Sequence, residues 1–200
     1  MNSYSIVLEF EKMVAAYAGS KYAVALDSCT NAIFLCCKYL NVKEVTIPSR
    51  TYVSVPCSII NSGGLVEFSD YEWLDMGYYK LDPYPIYDAA QFFNRNMYIK
   101  DSYFCVSFSA TKTINIGKGG MILTDDDESV DWFKQARYCG RHEVPLMNDR
   151  FEMVGWNMYM LPEQAARGCL LMSHVKDINQ QKKPEYPDLS KYEIYKKNKI

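Results

Sequence analysis

The sequence predicts an α/β fold with a mostly parallel central sheet flanked by helices. Two observations predict it. Short apolar runs, Tyr22–Leu26, Glu44–Ile47 and Leu65–Phe68, alternate with stretches whose apolar residues recur at helical spacing. The residues between them are the ones that start and stop helices: Gly19, Ser28 and the pair Gly63-Gly64.

Taken in order, Ile6, Phe10, Met13, Val14 and Tyr17 share one face of a helix that Gly19 ends. Tyr22 to Leu26 is a strand, and Ser28 caps a helix from about Cys29 to Leu40. Glu44 to Ile47 is the next strand. The loop Pro48-Ser-Arg-Thr51 follows, then a helix from Tyr52 to Asn61 that tolerates Pro56 near its start. After Leu65–Phe68 the periodicity lapses, and the acidic, aromatic segment 69–85 reads as a loop. Ile86–Asp88, Tyr103–Ser107 and Gly120–Thr124 are further strands. Asp126–Tyr138 and Pro162–Val175 are helices, the second with proline in its first turn. A long loop covers 139–153, and the polar end of the chain reads as a helix fragment and a loose end.

At 200 residues with 48% hydrophobic content, the chain can bury a sizeable core. A formal charge of −2 gives no electrostatic case for nucleic acid. The mild lysine excess near the end is best explained by a solvated face. The seven cysteines form no C-x-x-C pair, and most lie in apolar runs. They read as reduced thiols of a cytoplasmic protein. Neither His142 nor His174 has metal-ligand spacing, so no metal is expected. No signal peptide is recognised, and no apolar run reaches the ~20 residues of a membrane span, so no membrane partner is expected.

Three groups of residues carry possible chemistry. Lys112 closes the frame Ser107-Phe-Ser-Ala-Thr-Lys112 and precedes Gly117-Lys-Gly-Gly120; it is the candidate nucleophile and general base. Taken alone, a lysine here is an exposed one beside a turn. Asp88 follows a short apolar strand, and ligands of open α/β sheets bind at such carboxyl ends. Its plainer role is a turn or helix cap. Gln91, three residues on, offers an amide to a ligand or to solvent. Ser28-Cys-Thr30-Asn31 opens a helix directly after a strand, where free N–H groups and the helix dipole suit a phosphate. N-capping by Ser28 accounts for that pattern equally well. Ser107 offers a second hydroxyl. Tyr52 offers a ring to stack, or is one core aromatic among 17 tyrosines. The glycines at 117–120 have no P-loop spacing and read as a flexible approach or a tight turn. An amine, a strand-end carboxylate and phosphate donors together are what pyridoxal phosphate requires.

The ordered set resembles the sugar-nucleotide aminotransferases of the DegT/DnrJ/EryC1/StrS family. It runs from Phe10-Glu-Lys12 and Tyr17-Ala-Gly-Ser-Lys-Tyr-Ala-Val24 through Ile47-Pro-Ser-Arg-Thr-Tyr52, Asp88-Ala-Ala-Gln91 and Ser107-Phe-x-x-Thr-Lys112 to Gly155-Trp-Asn157 and Glu163-Gln-Ala-Ala166. The resemblance implies the large domain of pyridoxal phosphate fold type I. It implies Lys112 as the lysine that bonds the cofactor, Asp88 at the ring nitrogen and Tyr52 against the ring. It implies Thr30 and Asn31 in the phosphate-binding segment, joined by Ser107. Asn157 would reach the phosphate of a neighbouring subunit in a homodimer. The sequence differs from the family pattern at three points: Tyr159 stands where an arginine is expected, 69–85 is short, and the chain stops where the family's small C-terminal domain would begin. The expected organisation is therefore a large domain over 1–178 and a tail over 179–200.

The expected activity is transfer of an amino group from an amino acid, glutamate first among candidates, to a keto-sugar nucleotide. A pyridoxamine-dependent sugar dehydratase is disfavoured, because such relatives carry histidine in place of the lysine. A reading of another class is a non-catalytic remnant that acts as a dimeric ligand-binding or interaction module.

Overall fold

A computed structural model describes residues 5–180 and 183–196. Helix α1 (Ser5–Ala18) buries Val7, Phe10, Val14 and Ala18, a stripe at the spacing expected of one helix face. It ends at Gly19, whose φ of +82° suits a residue without a side chain. The remaining elements follow as β1 (Tyr22–Leu26), α2 (Cys29–Tyr39), β2 (Glu44–Pro48), α3 (Ser54–Asn61), β3 (Leu65–Ser69), β4 (Tyr79–Lys80), β5 (Ile86–Asp88), β6 (Tyr103–Ser107), β7 (Gly120–Thr124), α4 (Asp127–Arg137) and α5 (Pro162–Met172).

One sheet has the order β1-β7-β6-β5-β4, and β2 and β3 form a parallel pair. The two are stitched by Thr46 and Asp82, whose backbones exchange hydrogen bonds of 2.8 and 3.1 Å. The strands alternate their side chains between two cores, as a two-residue period requires. Val24, Leu26, Cys105 and Ile122 face α2, α3 and α4. Ala23, Ala25, Phe104, Val106, Met121 and Leu123 face α1 and α5.

The α/β class is as expected, but the sheet is mixed rather than mostly parallel. Strands β1, β2, β3, β5 and β6 run in one direction. The reversed strands β7 and β4 are inserted between them, so the β1–β7, β7–β6 and β5–β4 pairings are antiparallel. The cause lies in the connections. The segment after β6 carries no helix and folds back on itself, Phe108 N–H donating to Gly119 O at 2.9 Å, so the chain re-enters beside β6 in the opposite sense. The stretch 69–85 is not all loop either. Its Tyr79–Lys80 pairs with Tyr87 and Asp88 in a hairpin closed by Leu81 N–H to Ile86 O at 2.8 Å.

Gly120 has a different reason to be glycine from the flexible approach expected of 117–120. A Cβ there would lie 2.3 Å from Cys29 N, so only glycine lets β7 touch the start of α2. The end of the chain is also more tied down than its polarity suggests. Leu189 is buried, and its N–H donates to Ser49 O at 2.8 Å. Among the described residues, no helix is long and apolar enough to cross a membrane.

Candidate cofactor site

The carboxyl ends of β1, β2, β5 and β6 share one edge, and β7 begins there: Leu26 and Ser107 both pair with Gly120, and Asp88 pairs with Cys105. A cavity of about 470 Å³ opens at this edge. Its wall includes Thr30, Tyr52, Asp88, Gln91, Ser107 and Lys112, residues far apart in sequence. Asn31 and Asn157, also singled out from the sequence, are not part of that wall among the described residues.

Asp88 is the most constrained group. It is 4% exposed. Its Oδ2 accepts from Tyr79 Oη at 2.9 Å and its Oδ1 from Ala90 N–H at 2.9 Å. Tyr79 is itself fixed by a 2.5 Å hydroxyl contact with Thr51. Burial raises the Asp88 carboxyl above the ordinary range, while the Ala90 N–H, the Tyr79 hydroxyl and the Lys112 charge pull it back. Burial dominates, so the carboxylate gains from a further cation in the cavity. Burial also pushes the Tyr79 hydroxyl well up, with Asp88 adding to the shift, so Tyr79 stays a donor.

The start of α2 forms another wall. Ser28 Oγ accepts from Asn31 N–H at 3.2 Å and caps the helix. Thr30 Oγ1 donates to Ser54 Oγ at 2.9 Å, which links α2 to α3. Asn31 turns away to donate to Asp27 Oδ1 at 2.7 Å. Asp27 Oδ2 in turn pairs with Lys118 Nζ at 3.2 Å, which brings a second amine to the cavity wall. The first N–H groups of a helix have no acceptor within it, so this corner is rich in donors and positive in potential.

Lys112 lines both this cavity and a smaller one of about 120 Å³ beside it. Its backbone is set by a turn, Lys112 N–H to Ser109 O at 3.0 Å. Ser107 Oγ reaches Ser109 Oγ at 3.4 Å. Tyr52 is 57% exposed at the rim, its ring edge-on to Tyr186 with centroids 6.4 Å apart. Gln91 Nε2 donates to Tyr186 Oη at 2.8 Å.

Asn157 is exposed on the segment after α4, and its backbone bridges to Tyr138. Its neighbour Met158 ties that segment to β1, accepting from Asp27 N–H at 2.8 Å and donating to Arg137 O at 2.9 Å. Sequence reasoning missed Tyr79, Thr51, Trp73 and Tyr186. The signal for Tyr79 was its place opposite Asp88 across a possible hairpin. Nothing in the chain's pattern pointed to Tyr186.

The donor set suits pyridoxal phosphate. One end of the cavity offers N–H groups, hydroxyls and amines to a dianion. The other offers a buried carboxylate in need of a cation, which a protonated pyridine nitrogen supplies. The profile of the DegT/DnrJ/EryC1/StrS aminotransferase family matches residues 1–91 and 89–192. The chain belongs to that family. The cofactor of this family is pyridoxal phosphate, and the fold is the one its members share.

Among its relatives is the spore coat polysaccharide biosynthesis protein SpsC of Bacillus subtilis, 26% identical over 88% of this chain and 58% of the relative. Another is GDP-perosamine synthase of Caulobacter vibrioides, 27% identical over 86% of this chain and 57% of the relative. NtdA of Bacillus subtilis, solved with bound pyridoxamine phosphate, superposes with a TM-score of 0.70 at 21% identity, over 84% of this chain and 48% of NtdA. The chain thus spans little more than half the length of the curated relatives it matches.

Proposed function

We propose that the protein is a pyridoxal phosphate-dependent aminotransferase that takes an amino group from an amino acid, glutamate first among candidates, and gives it to a keto-sugar nucleotide. The observation that carries this is one cavity walled by the Lys112 amine, the buried Asp88 carboxylate and the start of α2. Two relatives support the acceptor class by name, a polysaccharide biosynthesis protein and GDP-perosamine synthase.

Pyridoxal phosphate, when bound, supplies an aldehyde that condenses with amines and a ring that withdraws electrons. The chain's residues do the rest. The N–H groups at the start of α2, with the Thr30 and Ser107 hydroxyls, would hold the phosphate. Lys112 would hold the group through its amine and would serve as the base that moves the proton at the donor's Cα. Asp88 keeps the ring nitrogen protonated, and Tyr79 and Ala90 N–H hold the carboxylate in place. Tyr52, at the rim, would pack on the ring.

The test is a half-reaction. Protein loaded with pyridoxal phosphate and given L-glutamate should yield pyridoxamine phosphate and 2-oxoglutarate in equal amounts, one per site. Tight cofactor binding without any such conversion would mean a binding module instead.

The same reading takes the chain as a homodimer in which Asn157 reaches the partner's phosphate. Exposed Leu146, Met147, Phe151 and Val154 precede Asn157 on one segment, an apolar surface that a partner would cover. An obligate interface should bury more than ~2,000 Å² in total. Light scattering of cofactor-loaded protein at micromolar concentration should give the mass of two chains, and a monomer that still carries out the half-reaction would leave Asn157 without this role. We further take 1–178 as the cofactor-binding domain and 179–200 as its tail.

A further inference from the structure

The C-terminal segment returns to the cavity. Tyr186 and Pro184 stand in the same wall as Lys112 and Asp88. The Tyr186 ring stacks on Trp73, with centroids 6.0 Å apart and planes 19° from parallel. Trp73 is buried and fixed by its indole N–H, which donates to Arg50 O at 2.9 Å. Three residues beyond Tyr186, Leu189 is buried, its N–H bonded to Ser49 O just after β2. Tyr186 is therefore held from both sides.

Among the described residues, its hydroxyl proton is given no acceptor. The oxygen accepts from Gln91 Nε2 at 2.8 Å, so its own hydrogen points elsewhere. Burial pushes this hydroxyl up to about 12, so it carries that proton at neutral pH. Gln91 lies three residues after Asp88 and lines the same cavity.

We propose that Tyr186 is a cofactor-contacting residue: its ring walls the pocket, and its hydroxyl donates to the oxygen on the pyridine ring of pyridoxal phosphate. This rests on the cofactor reading given above. The C-terminal segment then contributes a residue to the site, and Gln91 acts through Tyr186 by fixing the hydroxyl's direction.

The experiment measures the dissociation constants of pyridoxal phosphate and of pyridoxal, which lacks the phosphate, by quenching of intrinsic fluorescence. The full chain is compared with Tyr186→Phe and Tyr186→Ala. Tyr186→Phe keeps the wall and loses one bond to a charged oxygen, so binding should weaken about tenfold for both ligands. Tyr186→Ala should weaken it further, and the melting temperature of Tyr186→Phe should stay near that of the wild type. A penalty for pyridoxal phosphate but none for pyridoxal would place the contact at the phosphate and overturn the assignment to the ring oxygen. Wild-type affinity in both variants, or a lowered melting temperature in Tyr186→Phe with unchanged affinity, would overturn the role of Tyr186 while leaving the cofactor reading intact. A wild-type chain that binds neither ligand would overturn that reading, and this inference with it.

Discussion

Replacing Asp88 by asparagine should lower the half-reaction by about 10³-fold, on the order of 4 kcal/mol of barrier, while Lys112 still captures the cofactor. An amide is neutral and cannot keep the ring nitrogen protonated, so the ring loses most of its pull on electrons. The same change should have the opposite effect on cofactor-free stability. Burial raises the Asp88 carboxyl, so the folded state holds that proton more tightly than the unfolded state. Its contribution is therefore full below the unfolded pKa of ~3.9 and is lost as pH rises through the higher folded pKa. At pH 7 the wild type carries that penalty and Asp88→Asn does not. The variant without cofactor should be the more stable by on the order of 1 kcal/mol, and pyridoxal phosphate should reverse the order by giving the wild-type carboxylate its cation. Thermal melts with and without cofactor between pH 4 and 8 check this. Near-normal turnover, or a variant less stable at every pH, would contradict it.

The second large effect lies in the support beneath the site. Arg137 is buried, its Nη1 2.5 Å from Glu11 Oε1 and 2.7 Å from Ala25 O. Glu11 Oε1 also accepts from Ala25 N–H at 2.7 Å. The pair clamps β1 two residues before Asp27 and the turn into α2, and the Arg137 carbonyl holds Met158 beside Asn157. Among the described residues, Glu11→Ala leaves a buried guanidinium with Glu143, at 3.0 Å, as its one anionic partner, and deprives the Ala25 N–H of its acceptor. Breaking such a pair costs about 3–5 kcal/mol, which for a chain of this size lowers the melting temperature by about 10 °C. Glu11→Gln keeps an acceptor for Ala25 and should cost less. Equal melting temperatures for the Ala and Gln variants would mean that the charge, and not the hydrogen bond to β1, is what matters.

How far this fold could be read from the chain depended on the range of the forces involved. Helices and strands with their own periodicity, from α1 through β3 and from β5 to α5, were legible to within three residues at their ends because each pattern is local. The direction of β7 was not. Gly120–Thr124 is apolar on both faces and reads the same in either sense, and only the fold-back between Phe108 and Gly119 decides it. A two-residue strand such as β4 has no period to detect, so Tyr79, which orients Asp88, went unseen. That Lys112 and Asp88 line one cavity could be anticipated because each sits in a frame of several ordered residues. Tyr186 reaches the cavity from a polar, proline-flanked stretch, through contacts with Trp73 and Gln91 roughly a hundred residues away in the chain, and no local pattern announces such contacts.

The claim that matters most is that this cavity binds pyridoxal phosphate through Lys112. Incubation with the cofactor, borohydride reduction and peptide mapping test it most directly. The account predicts a single modified peptide bearing the pyridoxyl group on Lys112, lost in Lys112→Ala. A label on Lys118, which shares the cavity wall, or a protein left unlabelled at saturating cofactor would contradict it.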